Sequence, residues 1–148
     1  MIDFITNIDT RVLFFIQNYL HNQIFDTIMI TLTKLGNAGI LWVAISLTLI
    51  ITKKYRTTGI LTLFSLLITL ILGDGILKHI VERNRPFITI NDFHLLVEAP
   101  SSYSFPSGHT SAAFAAASML SYHFNKYKFL FFTLAVLMAF SRLYLFVH

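Results

Sequence analysis

Apolar residues recur along the chain first in a helical pattern and later in continuous runs. Over residues 4–20 they recur at helical spacing while Asp9 falls outside the stripe. This predicts an amphipathic helix within residues 1–22 that lies at a membrane surface or packs on other helices. Residues 24–35 are too short to cross a bilayer. The sequence LGNAG at residues 35–39 then predicts a break.

Four apolar runs follow, and each is interpreted as a membrane-spanning helix. The runs cover residues 35–52, 59–77, 110–124 and 129–147. Two short connections between them carry basic side chains, namely Lys53, Lys54, Arg56, Lys126 and Lys128. Because two spanning helices lie between the connections, both connections must be on one side of the membrane. The positive-inside rule makes that side cytoplasmic, so the segment 78–109 is expected on the extracytoplasmic side of the cell membrane.

The pattern leaves the first 35 residues with two alternatives. They either cross the membrane once or lie along the outer surface without crossing. With 148 residues, the chain is expected to form a single domain over 1–148, a polytopic all-α membrane bundle with spanning helices across 35–147.

Composition agrees with a membrane protein and narrows the ligands. Hydrophobic residues make up 55% of the chain and charged residues only 12%, too few polar side chains to cover a water-soluble globule. The chain has no cysteine, which excludes disulfides and thiolate metal sites. The net charge of +4 comes from short clusters, so membrane lipids or a phosphorylated substrate are better partners than nucleic acid. Nothing in the pattern specifies an oligomeric state.

Three polar clusters fall on the predicted extracytoplasmic side, at residues 78–86, 105–110 and 141–148. In the first, Lys78 and Arg85 are two helical turns apart, so a continuing helix that ends at Pro86 would direct both cations to one place. Two cations directed to one place indicate an anion. The alternative is that these residues only mark a helix end at the lipid headgroups, with Asp74 and Glu82 as neutralising partners of Lys78 at four-residue spacing.

The second cluster combines a turn, a hydroxyl and an imidazole. Pro106, Ser107 and Gly108 predict a turn into a helix whose free N–H groups form an anion site. Ser107 is a candidate N-cap or donor, and Gly108 allows close approach of a ligand. His109 is placed to give or take a proton beside that anion. The alternative role of His109 is that of a capping or headgroup histidine.

The third cluster lies at the end of the last apolar run. Ser141 and His148 share a face of a regular helix, whereas Arg142 is turned about 120° away and would need its long stem to reach the same pocket. An arginine within an apolar run is costly near a bilayer unless it is paired or faces a polar cavity. Arg142 is therefore a candidate functional residue.

Together the clusters supply the parts of a phosphoryl-transfer site. A lysine, two arginines, a hydroxyl and a helix N-terminus would hold a phosphate, while two histidines would act as nucleophile and general acid. No carboxylate cluster with metal-ligand spacing lies near them. We therefore predict no cofactor and no metal, with the cations neutralising charge as Mg²⁺ does in other enzymes.

These motifs resemble the type 2 phosphatidic acid phosphatase (lipid phosphate phosphatase) family. The three parts are Lys78 with six residues before Arg85-Pro86, Pro106-Ser107-Gly108-His109, and Ser141-Arg142 with five residues before His148. The resemblance extends from about residue 35 to the last residue. It implies a core shared with vanadium haloperoxidases, and the predicted membrane helices argue against a soluble peroxidase.

The resemblance also implies roles and substrates. His148 matches the nucleophile, and His109 matches the acid that protonates the leaving group. The phosphoryl oxygens would be held by Lys78, Arg85, Ser107, Gly108 and Arg142. Bacterial members act at the outer leaflet on undecaprenyl diphosphate, phosphatidylglycerol phosphate or phosphatidic acid, and the prenyl diphosphate is the first expectation here.

One departure from the family pattern concerns the chain end. The pattern continues beyond the nucleophile with three residues, an aspartate that orients the histidine, and further membrane helix, whereas this sequence stops at His148. We therefore expect a truncated bundle that lacks its last helix or helices and a 148-residue polypeptide with little or no activity. The alternative is a non-catalytic membrane protein that binds phospholipid or phosphoanions. A small transporter or holin-like peptide would not explain three such clusters on one side.

Overall fold

The computed structural model describes residues 2–89 and 95–147, and it describes the side chains of residues 8–88 and 95–147. All regular structure in these ranges is helical. The helices are α1 (Ile2–Tyr19), α2 (Gln23–Gly36), α3 (Ile40–Ile51), α4 (Arg56–Thr69), α5 (Lys78–Val81), α6 (Pro86–Thr89), α7 (Gly108–His123) and α8 (Lys128–Tyr144). A π-helical segment, Leu70–Leu77, joins α4 to α5 without a break. The expected all-α bundle is confirmed.

Helix α7 lies at the centre of the bundle and packs against both α4 and α8. The alanines on its packed side, Ala113, Ala116 and Ala117, are fully buried, and their small size allows the neighbouring helices to approach closely. Trp42 of α3 and Met138 of α8 complete the same apolar cluster. This close packing fixes the ends of α4, α7 and α8 relative to one another.

The two basic connections lie at one end of the bundle. The ring of Tyr55, before α4, lies 5.6 Å from the ring of His123 and 5.0 Å from that of Phe124, both at the end of α7. This confirms that the connections share a side. Within the described residues, three stretches are long and apolar enough to cross a membrane, namely Gln23–Ile51, which includes the turn between α2 and α3, Lys53–Ile88 and Asn125–Tyr144. Helix α7 runs between the last two and returns the chain to the basic end.

Helices α1 and α2 are attached at the opposite end. The hydroxyl of Tyr144, at the end of α8, donates a 2.6 Å hydrogen bond to Asp26 of α2, and Gln17 of α1 donates to the carbonyl of Tyr144 at 3.3 Å. Arg83 pairs with Asp9 of α1 at 2.7 Å. These contacts hold α1 and α2 against that end of the bundle.

The predicted break after α2 is confirmed. Ala38 and Gly39 have φ angles of 50° and 66°, in the left-handed region, and they separate α2 from α3. Because two successive left-handed residues cannot continue a right-handed helix, the chain changes direction here. The turn places the end of α2 beside the start of α7.

Two predicted helix ends are wrong. The helix that carries Lys78 stops at Val81, where Glu82 has φ 46°, so it does not continue to Arg85. The carbonyls of residues 83 and 84 instead accept hydrogen bonds from Ser104, and Pro86 begins α6 rather than ending a helix.

The last helix also ends earlier than predicted, at Tyr144 rather than residue 147. Phe146 has φ 60°, and the carbonyl of Val147 is held by the guanidinium of Arg85 instead of continuing the helix. The regular helix that would align Ser141 with His148 is therefore interrupted by a turn.

Candidate active site

The start of α7 forms one wall of the site. Ser107 caps the helix as predicted, and its Oγ accepts a 3.4 Å hydrogen bond from the N–H of Thr110. The carboxylate of Asp74 lies directly beside Gly108. A Cβ built on Gly108 would be 3.0 Å from Asp74 Oδ2, so a side chain here would displace the carboxylate. Gly108 is thus the residue that lets the carboxylate of Asp74, in the π-helical segment, approach the helix start.

Lys78 provides the first cation of the site, and its side chain is only 11% exposed. Its ammonium pairs with Asp74, four residues earlier, and donates to Ser102 Oγ at 3.3 Å. Four-residue spacing predicted Asp74 as a partner of Lys78, and this ion pair is confirmed. Glu82, the other predicted partner, is exposed.

Arg85 is buried and joins three parts of the chain. Its Nε donates to the carbonyl of Ser102 at 2.6 Å, its Nη2 donates to the carbonyl of Tyr103 at 3.2 Å, and its Nη1 donates to the carbonyl of Val147. The charge-assisted bonds hold the loop before α7 against the turn after α8. Arg85 therefore fixes backbone around the site in addition to bringing a positive charge to it.

Arg142 reaches the same cavity from α8, as its long stem was predicted to do. Its side chain is buried, with the residue 5% exposed, and its Nη1 donates to Thr33 Oγ1 of α2 at 2.5 Å. Its Nε has no hydrogen-bond partner within the described ranges. A buried guanidinium with an unused donor beside a cavity indicates a place for an anion.

His109 is held by the break between α2 and α3. Its Nε2 lies 2.9 Å from Asn37 Oδ1, and a Cβ built on Gly36 would be 2.8 Å from its Cδ2. The Cδ2 edge of the imidazole thus faces a position that only glycine can occupy without moving the ring. Asn37 fixes the direction of one ring nitrogen.

These groups surround a cavity of about 1080 Å³. Its polar part is lined by Asp74, Lys78, Arg85, His109 and Arg142. Its apolar part is lined by side chains of α3, α4 and the start of the π-helical segment, namely Val43, Leu63, Leu66, Leu67 and Leu70. The cavity therefore combines a cationic end with an apolar extension along the bundle.

The structure brings together the predicted residues Lys78, Arg85, Gly108, His109 and Arg142, with Ser107 adjoining them as the cap. The predicted nucleophile, His148, lies outside the described residues. Val147, the residue before it, is fully buried, and its carbonyl is bonded to Arg85.

Sequence reasoning missed the contribution of α2. Thr33, Gly36 and Asn37 contact Arg142 and His109 across sequence separations of 72 residues or more, and no spacing pattern signals such contacts. Lys34 also lines the cavity. The LGNAG turn was the only signal at this position, and it was interpreted as a break alone.

No group of three or more His, Asp or Glu side chains that could hold a metal ion occurs in residues 2–89 and 95–147. The cavity lining instead combines the cations Lys34, Lys78, Arg85 and Arg142 with the carboxylates of Asp74 and Glu98. Metal independence stays a prediction for experiment.

The fold and the site define a class of protein, a multi-pass membrane helix bundle with a cationic, histidine-bearing pocket at one end. Residues 58–148 match the PAP2 superfamily, and the chain belongs to that family. It is similar to the undecaprenyl-diphosphatase of Sulfolobus acidocaldarius, with 32% identity over 137 residues, 92% of this chain and 66% of that protein. The chain thus spans slightly less than two thirds of that relative.

A solved structure agrees with this assignment. The fold is similar to the first transmembrane PAP2 type phosphatidylglycerolphosphate phosphatase from Bacillus subtilis, with a TM-score of 0.74 and 30% identity. The match covers 97% of this chain and 74% of the other. The solved structure therefore supports the bundle architecture, in agreement with the family match over residues 58–148.

Proposed function

We propose that the protein is a membrane lipid phosphate phosphatase that hydrolyses a lipid phosphomonoester or diphosphate. The observation that carries this proposal is the buried Arg142, whose Nε lacks a partner within the described ranges beside a cavity that Lys78 and Arg85 also line. Burying an N–H donor without an acceptor costs free energy, and a bound phosphoryl oxygen would remove that cost. Membership of the PAP2 superfamily supports a phosphoryl group as the anion.

The apolar extension of the cavity supports a lipid as the substrate. Leucines of α4 and Val43 of α3 lead away from the cations, so an acyl or prenyl chain could lie along them while its phosphate enters the polar end. Undecaprenyl diphosphate is our first candidate because the relative from Sulfolobus carries that activity in its name. Phosphatidylglycerol phosphate, named for the solved homologue, and phosphatidic acid come next.

The proposed reaction proceeds in two balanced steps. A ring nitrogen of His148 attacks the terminal phosphorus and a P–N bond forms. The P–O bond to the leaving group breaks, which is the lipid alkoxide of a phosphomonoester or the lipid phosphate of a diphosphate, while His109 donates a proton to the departing oxygen. Water then attacks the phosphohistidine, His109 accepts the proton, and inorganic phosphate leaves with His148 restored. Lys78, Arg85 and Arg142 neutralise the charge that develops on the phosphoryl oxygens in both steps.

We place the site on the extracytoplasmic side of the cell membrane. The basic connections lie at the opposite end of the bundle, and basic loops favour the cytoplasmic side. The absence of cysteine makes this testable by labelling. A Ser101→Cys variant should react with a membrane-impermeant maleimide in intact cells, whereas Lys126→Cys should react only after permeabilisation. The reverse pattern would place the site inside.

The catalytic test uses the protein expressed from its complete reading frame and purified in detergent. Phosphate release is measured with each candidate lipid and compared among the wild type, His109→Ala and His148→Asn. His123→Asn is the matched control because that imidazole lies at the basic end. We expect phosphate release by the two site variants to be at least about 10²-fold slower than that of the wild type, the usual scale for the loss of an acid–base residue. The control variant should release phosphate at the wild-type rate.

Trapping identifies the mechanism. After a brief reaction with ³²P-labelled substrate, an acid-labile and base-stable label should appear on the wild type and be absent from His148→Asn. Phosphate or lipid binding without turnover or label would instead favour the non-catalytic lipid-binding alternative.

A further inference from the structure

Asp74 is an anionic side chain inside the pocket that the proposed reaction does not use. It lies in the π-helical segment Leu70–Leu77 and lines the cavity, with its side chain 34% exposed. Wide π-helical turns inside a helix are uncommon and frequently occur at functional sites. The placement of Asp74 is therefore a feature to explain.

The carboxylate contacts two of the groups proposed to hold phosphate. It pairs with the ammonium of Lys78 and lies beside Gly108, the first residue of α7, where the helix N-terminus favours negative charge. A Cβ on Gly108 would be 3.0 Å from one carboxylate oxygen and 3.3 Å from the other. Asp74 is thus the resident anion where a phosphate would be bound.

We propose that Asp74 sets the affinity of the site by competing with phosphate for Lys78 and the start of α7. This inference rests on the proposed function, because it assumes that Lys78 and Gly108 receive the phosphoryl group. An arriving lipid phosphate displaces the carboxylate from Lys78, with its apolar chain contributing binding free energy that inorganic phosphate lacks. After hydrolysis, the carboxylate returns to Lys78 and promotes release of the product phosphate.

A simpler role predicts the opposite effect. If Asp74 only orients the ammonium of Lys78, removing its charge should loosen that side chain and weaken phosphate binding. If Asp74 competes, removing its charge should strengthen phosphate binding. The sign of the change therefore distinguishes the two roles.

The test measures binding of inorganic phosphate by titration calorimetry to the protein expressed from its complete reading frame. Asp74→Asn removes the charge with little change in shape. Glu82→Gln is the matched control because it removes the same charge, also four residues from Lys78, at an exposed position. We expect Asp74→Asn to bind phosphate about tenfold more tightly than wild type, because a negative charge near the anion has been removed. The dissociation constant of Glu82→Gln should stay within about twofold of the wild-type value.

Two further variants keep the result interpretable if Asp74→Asn folds poorly, which thermal unfolding would reveal. Asp74→Ala should also bind more tightly, whereas Asp74→Glu keeps the charge and should bind phosphate as weakly as wild type. Weaker binding by Asp74→Asn, or a change no larger than that of Glu82→Gln, would overturn the inference. Tighter binding with no lipid turnover in the wild type would support the inference and overturn the phosphatase proposal. No phosphate binding by any variant would overturn the inference, whereas lipid turnover by the wild type would still support the phosphatase proposal.

Discussion

A Gly36→Ala substitution tests whether α2 positions the general acid. Gly36 ends α2 with φ −79° and ψ −15°, a conformation that alanine adopts without strain. Alanine is favoured over glycine in helices by up to about 1 kcal/mol. The backbone should therefore tolerate this substitution or be stabilised by it, so a loss of activity could not be attributed to unfolding.

The effect on His109 follows from one distance. The new Cβ would lie 2.8 Å from Cδ2 of the imidazole, whereas ordinary contacts begin at 3.4 Å, so the ring must move by about 0.6 Å. The movement also disturbs the 2.9 Å contact between Nε2 and Asn37. Because misplacement of a reacting group by about 1 Å can cost about 10²-fold, we expect kcat to fall by roughly 10-fold to 10²-fold.

The assay compares kcat with lipid phosphate and thermal unfolding in detergent for Gly36→Ala and Gly39→Ala. Gly39 has φ +66° and no atom within 4 Å of a built Cβ, so its alanine variant should lose about 1–2 kcal/mol of stability without touching His109. The two variants should thus show opposite patterns of stability and activity. A Gly36→Ala protein that is well folded and keeps kcat within twofold would refute the proposed role of this contact.

Three other predictions test different parts of the molecule. Arg85→Lys keeps the positive charge, but a lysine cannot donate to the carbonyls of Ser102, Tyr103 and Val147 together. Turnover should therefore fall by roughly 10-fold to 10²-fold. Near-normal kinetics of this variant would mean that the positive charge alone suffices. Gly59→Ala should lower the unfolding temperature by the equivalent of about 1–3 kcal/mol, because its Cβ would overlap the backbone carbonyl oxygen of Ser46 in α3; an unchanged melting curve would contradict this contact. EDTA should leave hydrolysis intact, and a loss of activity that Mg²⁺ restores would show that the cations do not replace a metal.

The fold was predictable where apolar runs and turn residues are continuous in sequence. Spanning helices, the break at residues 37–39 and the shared side of the basic connections all follow from hydropathy and local backbone preferences. The ends of the Lys78 helix and of α8 were not predictable. There, Ser104 and Arg85 donate hydrogen bonds to carbonyls just beyond the helix ends, and those partners lie far away along the chain.

The candidate site was likewise predictable in part. Motif spacing identified Lys78, Arg85, Gly108, His109 and Arg142 because each cluster is local, and the structure brings these residues to one cavity. For Asp74, the sequence predicted only one of two contacts. Four-residue spacing paired Asp74 with Lys78, but it did not predict that the carboxylate lies against Gly108 at the start of α7.

By itself, the sequence determined that this is a membrane helix bundle with the signature motifs of the PAP2 superfamily, because helix formation, hydrophobic length and turn chemistry depend on neighbouring residues. Only the tertiary structure decided what surrounds the chemistry: Gly36 and Asn37 against His109, and Thr33 on Arg142. These contacts arise when close-packed helices bring distant segments together, and packing geometry leaves no periodic trace along the chain. The stretch SFPSGHT thus specified a helix start and an imidazole, and the bundle determined which groups hold that imidazole in place.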